Sequence, residues 1–199
     1  MSAPSVETER TGSYSLDLAL LDNIPPDMKA RRQWIVWCYE DHGRPKPAKV
    51  PYYPTTKKRA SSTDPSTWGT YAEAIAAYQQ GEFDGVGFVF SKDDPYTGVD
   101  LDGCRDPETG HLEPWAAEVV ARVDSYSEAS PSGTGVHTLA RGCRPAGSRK
   151  KGSVEMYDCA RFFTVTGEHL GGTPTTIEDR TAELAALHAE VFGKNNGQT

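Results

Sequence analysis

Two carboxylates one residue apart inside an apolar run, Gly98-Val99-Asp100-Leu101-Asp102-Gly103, constrain the fold of this chain more than any other segment. In an extended strand residues i and i+2 turn to one face, so Asp100 and Asp102 point together while Val99 and Leu101 point the other way. A sheet built on this strand therefore has an acidic face and an apolar face, and helices must cover the latter. Like charges this close oppose each other's ionisation unless a positive group sits between them. The simplest such group is a hard divalent cation held through oxygen. A calcium loop of the EF-hand type is the bland alternative, but its sixth position needs glycine for the turn and here carries Arg105.

Two later segments add to this. Ser130-Pro131-Ser132-Gly133-Thr134-Gly135-Val136-His137 is a small-residue loop entering an apolar stretch. Its glycines free the backbone to approach phosphate oxygens, and a histidine stands at its far edge. Val154-Glu155-Met156-Tyr157-Asp158 then opens another strand-like segment with a third acidic position, followed by Arg161-Phe162-Phe163-Thr164-Val165-Thr166-Gly167. Taken singly, the loop reads as a plain hairpin connection and His137 as a hydrogen-bonded structural residue. Taken with acidic residues on either side in sequence, the set reads as a site for metal and polyphosphate.

In this order, Asp-x-Asp, Ser-Gly-x-Gly-x-His and an acidic strand ending near an arginine resemble the archaeo-eukaryotic primase superfamily, and within it the primase-polymerase domain of phage and plasmid replication proteins. Gln33-Trp34-Ile35-Val36-Trp37, Lys49-Val50-Pro51-Tyr52, Ala60-Ser61-Ser62-Thr63-Asp64-Pro65 and Gly85-Val86-Gly87-Phe88-Val89-Phe90 fit the same group. The resemblance runs from about Ile24 to Leu170. It implies an α+β fold in which an RRM-like antiparallel sheet, with helices on one face, forms the catalytic core beside a smaller N-terminal α/β lobe. It also implies a template-directed nucleotidyltransferase that joins (d)NTPs to a 3′-hydroxyl with two ions of Mg²⁺ or Mn²⁺. Asp100, Asp102 and Glu155 would be the shared metal ligands, with Asp158 in the turn beyond them. Ser132, Gly133, Gly135, His137 and Arg161 would bind the nucleotide, His137 and Arg161 by neutralising its phosphates. The implied partners are a single-stranded DNA template, nucleoside triphosphates and a downstream helicase region.

Composition bounds these readings. With 199 residues, 37% hydrophobic and 25% charged, the chain suits one globular catalytic domain over 16–192, between polar ends at 1–15 and 193–199 expected to be disordered. No apolar stretch approaches the roughly 20 residues a membrane helix needs, and the N-terminus lacks a signal-peptide layout, so a cytoplasmic protein is expected. Cys38, Cys104, Cys143 and Cys159 are widely spaced, without the close pairs of a structural zinc site. They read as reduced thiols, and a composite zinc site from the last three is the lesser alternative. A net charge of −7 argues against strong nucleic-acid binding. Its distribution is uneven, however, and the basic stretches containing Lys49, Lys57, Lys58 and Arg149, Lys150 are candidate template contacts, against the plain reading of solvated surface.

The coarse pattern places strands at Trp34 to Tyr39, Gly85 to Phe90, Thr97 to Asp102, Tyr126 to Ala129 and Val136 to Ala140. Further strands are expected at Glu155 to Tyr157 and Phe162 to Thr166. The strands at Gly85 to Phe90 and Thr97 to Asp102 flank a turn at Asp93-Asp94-Pro95 and read as a hairpin, as do the last two strands. A long loop is expected from Tyr39 to Pro65. Helices are expected after Asp64-Pro65 through Tyr71, Ile75 and Tyr78, after Glu113-Pro114 through Val119, Val120 and Val123, and after a capping box at Thr176-Ile177-Glu178-Asp179 through Leu184, Leu187 and Val191. Phe162 reads first as a core residue and second as a wall against an incoming sugar. Two other functions compete. A metal-dependent nuclease would share the acidic pair, but Tyr157 stands where an acidic-x-Lys element would place lysine. A non-catalytic nucleic-acid-binding module would need no carboxylate cluster. A rolling-circle initiator is excluded by the lack of a His-hydrophobic-His pair.

Overall fold

A computed structural model of the chain describes residues 14–43 and 45–193. The expected disordered ends lie outside these residues except for Tyr14, Ser15 and Gly193, and the Tyr14 ring stacks on Trp37, 5.9 Å between centroids. Among the described residues nine strands and four α-helices follow in the order α1 (Pro26–Lys29), β1 (Trp34–Glu40), β2 (Ala48–Tyr52), α2 (Tyr71–Gln79), β3 (Gly85–Phe90), β4 (Tyr96–Leu101), α3 (Pro114–Val123), β5 (Ser127–Ala129), β6 (Val136–Arg141), β7 (Lys150–Lys151), β8 (Val154–Tyr157), β9 (Arg161–Val165) and α4 (Thr181–Phe192). The fold is α+β. Its strands form two antiparallel sheets, one ordered β2-β1-β3-β9 and the other β5-β6-β4-β8-β7.

Strand alternation explains the layering. Val99 and Leu101 of β4, Val136 and Ala140 of β6, and Val154 and Met156 of β8 all bury against Ala116, Val120 and Val123 of α3 and Leu184 and Leu187 of α4. Period two then sends Asp100, His137 and Glu155 to the other face of the five-stranded sheet. That face meets the four-stranded sheet through a second core. There Phe88 and Phe90 of β3 and Phe163 of β9 pack with Tyr96, Tyr126 and Leu139, and with residues of α1 and α2. Gly98 lies at the contact; a Cβ there would come within 2.5 Å of the Phe163 ring and 2.6 Å of the Phe90 ring.

Three expectations are corrected. The strands at Gly85–Phe90 and Tyr96–Leu101 do not form a hairpin. Both edges of β3 are occupied, Val86 and Phe88 pairing with β1 on one side and β9 on the other. Asp94 redirects the chain between sheets: its carboxylate accepts the amides of Ser91 and Tyr96, both at 2.7 Å, and the Gln33 side chain at 2.6 Å. For the same reason β8 and β9 are not a hairpin, since β8 pairs with β4 and β7 while β9 pairs with β3. The loop after β1 contains β2, which pairs antiparallel to it.

Helix starts also move. Asp64-Pro65 caps only a short 3-10 turn, Pro65–Thr67, and α2 begins at a reciprocal capping box between Thr70 and Glu73. Thr176 and Glu178 bond each other instead of capping α4, which starts after Arg180. Phe162 packs with Ile35, Trp37, Trp68 and Val89, in keeping with its expected place in a core. No described helix is long and apolar enough to cross a membrane.

Candidate active site

β4 is the centre of the five-stranded sheet, and its register assembles the site. Asp100 lies opposite His137 on β6 and opposite Glu155 on β8. Asp102 follows in the turn just past the strand end, its amide bonded to Ser153 O at 2.8 Å, which holds it beside the start of β8. One carboxylate oxygen from each of Asp100, Asp102 and Glu155 lies within 4.8 Å of the other two. Strand register thus sets Asp100 opposite Glu155, 55 residues later, and the Asp102–Ser153 bond brings the third residue expected as a metal ligand beside them.

The donor set is all oxygen, which suits a hard cation such as Mg²⁺ or Mn²⁺. Asp100 Oδ1 is buried and has no hydrogen-bond partner. It stands 3.6 Å from His137 Nε2. Burial first, and then the charges of Asp102 and Glu155, push the Asp100 carboxyl up to about 7. An unpartnered buried carboxylate oxygen held against two more carboxylates is an unfavourable arrangement that a cation relieves. Glu155 behaves differently. Burial works against its ionisation, but hydrogen bonds from Lys150 and Tyr157 and the Arg161 charge hold its carboxyl below the usual range. Lys150 pairs directly with Oε1, and Arg161 Nη2 lies 3.4 Å from Oε2.

His137 is almost fully enclosed, its side chain 7% exposed. Burial, and next the positive charge of Lys49, push its imidazole down to about 3, against the opposing bond to Thr164 O. A neutral ring cannot offset phosphate charge, so that task falls on the cations nearby. Arg161 stacks over Tyr157, 4.9 Å from the ring centre. Lys49, on the four-stranded sheet, faces Asp100 and Asp102 across the junction; burial lowers its pKa and those two carboxylates oppose the fall.

Ser132 and Thr134 line an open cleft of about 760 Å³ together with Asp102, Lys49, Lys46 and Tyr39. The loop that carries them is closed on itself. The Gly133 amide bonds Ser130 O at 2.8 Å and the Gly135 amide bonds Ser130 Oγ at 3.1 Å. Gly133 needs its glycine for a φ of +72°, and Gly135 because a Cβ would lie 2.8 Å from Leu101 O. What the loop offers to the cleft is therefore chiefly the exposed hydroxyls of Ser132 and Thr134, and not its glycine amides.

The expected template contacts separate in space. Lys57 pairs with Glu82 at 2.6 Å and Lys58 is exposed. Arg149 lies over Tyr157, 5.9 Å from the ring centre. Lys49 and Lys150 sit against the acidic residues themselves. Sequence reasoning passed over Glu128, which faces His137 across the β5–β6 pair and is 1% exposed. Its signal was a lone acidic residue in the buried segment Ser127-Glu128-Ala129, one strand before the glycine loop.

No family model matches the chain. A curated relative, the DNA primase-polymerase of Nitratiruptor phage NrS-1, is 36% identical over 146 residues, which is 70% of this chain and 20% of that protein. The chain thus spans about a fifth of the relative's length, and the relative's name mentions no helicase. Over those 146 residues the chain is thus similar to a phage DNA primase-polymerase.

Proposed function

We propose that this chain is the catalytic part of a template-directed primase-polymerase, transferring nucleotides from nucleoside triphosphates to a 3′-hydroxyl on a single-stranded DNA template. The observation that carries this reading is the convergence of Asp100, Asp102 and Glu155 within 4.8 Å. It stands beside the cleft lined by Ser132 and Thr134, in a chain kin to a phage DNA primase-polymerase. Bound to these carboxylates, two Mg²⁺ or Mn²⁺ ions would lower the pKa of the attacking hydroxyl and carry charge from the triphosphate and its leaving group.

The chain's own residues do the rest. Asp100, Asp102 and Glu155 supply the negative field that concentrates cations at the junction. Ser132 and Thr134 hydroxyls, with Gly133 and Gly135 shaping their loop, hydrogen-bond phosphate oxygens. Lys49 and Arg161 flank the carboxylates with positive charge, and Arg161 adds a planar fork suited to two phosphate oxygens. His137, neutral and packed 4.8 Å from the Phe163 ring centre, acts as a fixed wall that hydrogen-bonds and excludes water. Lys57, Lys58, Arg149 and Lys150 remain the proposed contacts for the template backbone.

The test is incorporation of labelled nucleotides on a primed template with Mn²⁺. Wild type should extend the primer, and Asp100→Ala should lose at least a thousandfold in rate while keeping its circular dichroism spectrum. Undiminished incorporation by that variant removes the metal assignment. Template cleavage in place of extension favours a nuclease.

A further inference from the structure

The five-stranded sheet carries one continuous row of ionisable side chains. Glu128 pairs in register with His137, His137 with Asp100, Asp100 with Glu155, and Glu155 with Lys150, so one residue from each of the five strands lies on the acidic face. Asp100, Glu155 and Lys150 already have places in the proposed reaction. Glu128, at the other end, touches neither the cleft nor the carboxylates, yet it is a buried acidic group with every bond satisfied.

Glu128 accepts three hydrogen bonds from groups that can only donate to it or that face it as donors: the Thr166 amide at Oε1, 3.0 Å, the Gly167 amide at Oε2, 3.0 Å, and the Tyr126 hydroxyl at Oε2, 2.9 Å. It thereby ties the strand end that follows β9 to the β5–β6 pair. Two residues before that tie, Thr164 O lies 3.0 Å from His137 Nδ1. A carbonyl only accepts, so in the neutral ring the hydrogen sits on Nδ1. Glu128 Oε1 lies 4.0 Å from the same nitrogen; burial raises its carboxyl to about 7, and once ionised above that its negative charge favours the hydrogen there. Nε2 is then left with its lone pair toward Asp100 Oδ1, 3.6 Å away. With Asp100 ionised, two acceptors face each other, and a proton, a donor with two hydrogens such as water, or a cation is needed between them.

We infer that Glu128 is a positioning residue: through the β9 amides and its charge it fixes the Nδ1–H form and the orientation of His137, so that the His137 Nε2 lone pair and Asp100 face each other as paired acceptors at the reaction centre. The consequence for catalysis rests on the polymerase reading; the tautomer does not.

The experiment reads both. Long-range ¹H–¹⁵N spectra of the metal-free protein at pH 8 should show His137 with a protonated Nδ1 and a bare Nε2. In Glu128→Gln the side chain keeps one acceptor oxygen but sets an NH₂ against an amide donor, and the charge is gone. His137 should then show a substantial Nε2–H population, and primer extension should fall about 10- to 100-fold, the range expected when a partner that orients an active-site histidine is lost. Should Glu128→Gln fail to fold, Tyr126→Phe removes only the phenolic donor and should move the same signals in the same direction by less. A His137 spectrum identical to wild type in the folded variant overturns the inference. A tautomer shift in a protein whose wild type never extends a primer leaves the positioning intact and sinks the polymerase reading instead.

Discussion

At Asp100 the demands of folding and of the proposed chemistry oppose each other. Its carboxyl is raised to about 7 by burial, Asp102 and Glu155, while an unfolded aspartate titrates near 3.9. The native state therefore holds this proton more tightly than the unfolded chain does. The stability it contributes is complete below about pH 4, is lost as pH rises through about 7, and stays lost above that. Metal-free protein should accordingly lose on the order of 1–3 kcal/mol from this group between those limits. Asp100→Asn removes the titration and the like-charge repulsion. At pH 8 without divalent ions it should melt above wild type, and its melting point should be flatter with pH, as scanning calorimetry across pH 4–8 would read. The same variant should not extend primers. A variant less stable than wild type at pH 8 would mean that the carboxylate serves packing and not a cation.

Strand β4 shows how one element is specified on both faces. The alternation Val99, Asp100, Leu101, Asp102 was legible in the sequence because it is local and has a period of two. Its helix-facing half and its acid-facing half both appear where that pattern puts them. Gly98 carries information that alternation cannot express. It has no side chain because the rings of Phe90 and Phe163 occupy the place of its Cβ. Gly98→Ala should destabilise by about 1–3 kcal/mol through overpacking at the contact between sheets, seen as a lower urea midpoint with unchanged slope. An unchanged midpoint would show that the rings move aside freely. The hairpin expectations failed for a related reason. A five-residue connection ordinarily joins paired strands, but β3 already has partners at both edges, and one of them, β9, comes from more than 70 residues later. Such pairing is non-local and leaves no mark on the short turn itself. The helix start at Thr70 was missed because Asp64-Pro65 is an equally good local signal that a single 3-10 turn consumes.

At the scale of the whole molecule, Asp100 and Asp102 belong to one sheet and the leading counter-charge to Asp100, Lys49, to the other. The carboxylates could be read from sequence because each lies in its own strand motif. Lys49 could not, since nothing near Lys49-Val50-Pro51-Tyr52 tells which side of a junction the ammonium will face. Its expected place was with the template. In the structure β2 pairs it with Tyr39, its ammonium lies 5.5 Å from the Trp37 ring, and it opposes Asp100 and Asp102 at the cleft shared with Ser132 and Thr134. A half-buried lysine against carboxylates depends on them for its charge, and they on it, so its loss should be felt by a bound polyphosphate before it is felt by DNA. Lys49→Met keeps the stem's packing and removes the charge. It should raise the KM for nucleotide by about tenfold or more and lower incorporation about 100-fold, while anisotropy of a labelled single strand returns the wild-type Kd. If template affinity falls and nucleotide KM does not, Lys49 belongs to the template path after all, and the triphosphate must draw its positive charge from Arg161 and the other nearby cations, Lys46 and Lys150.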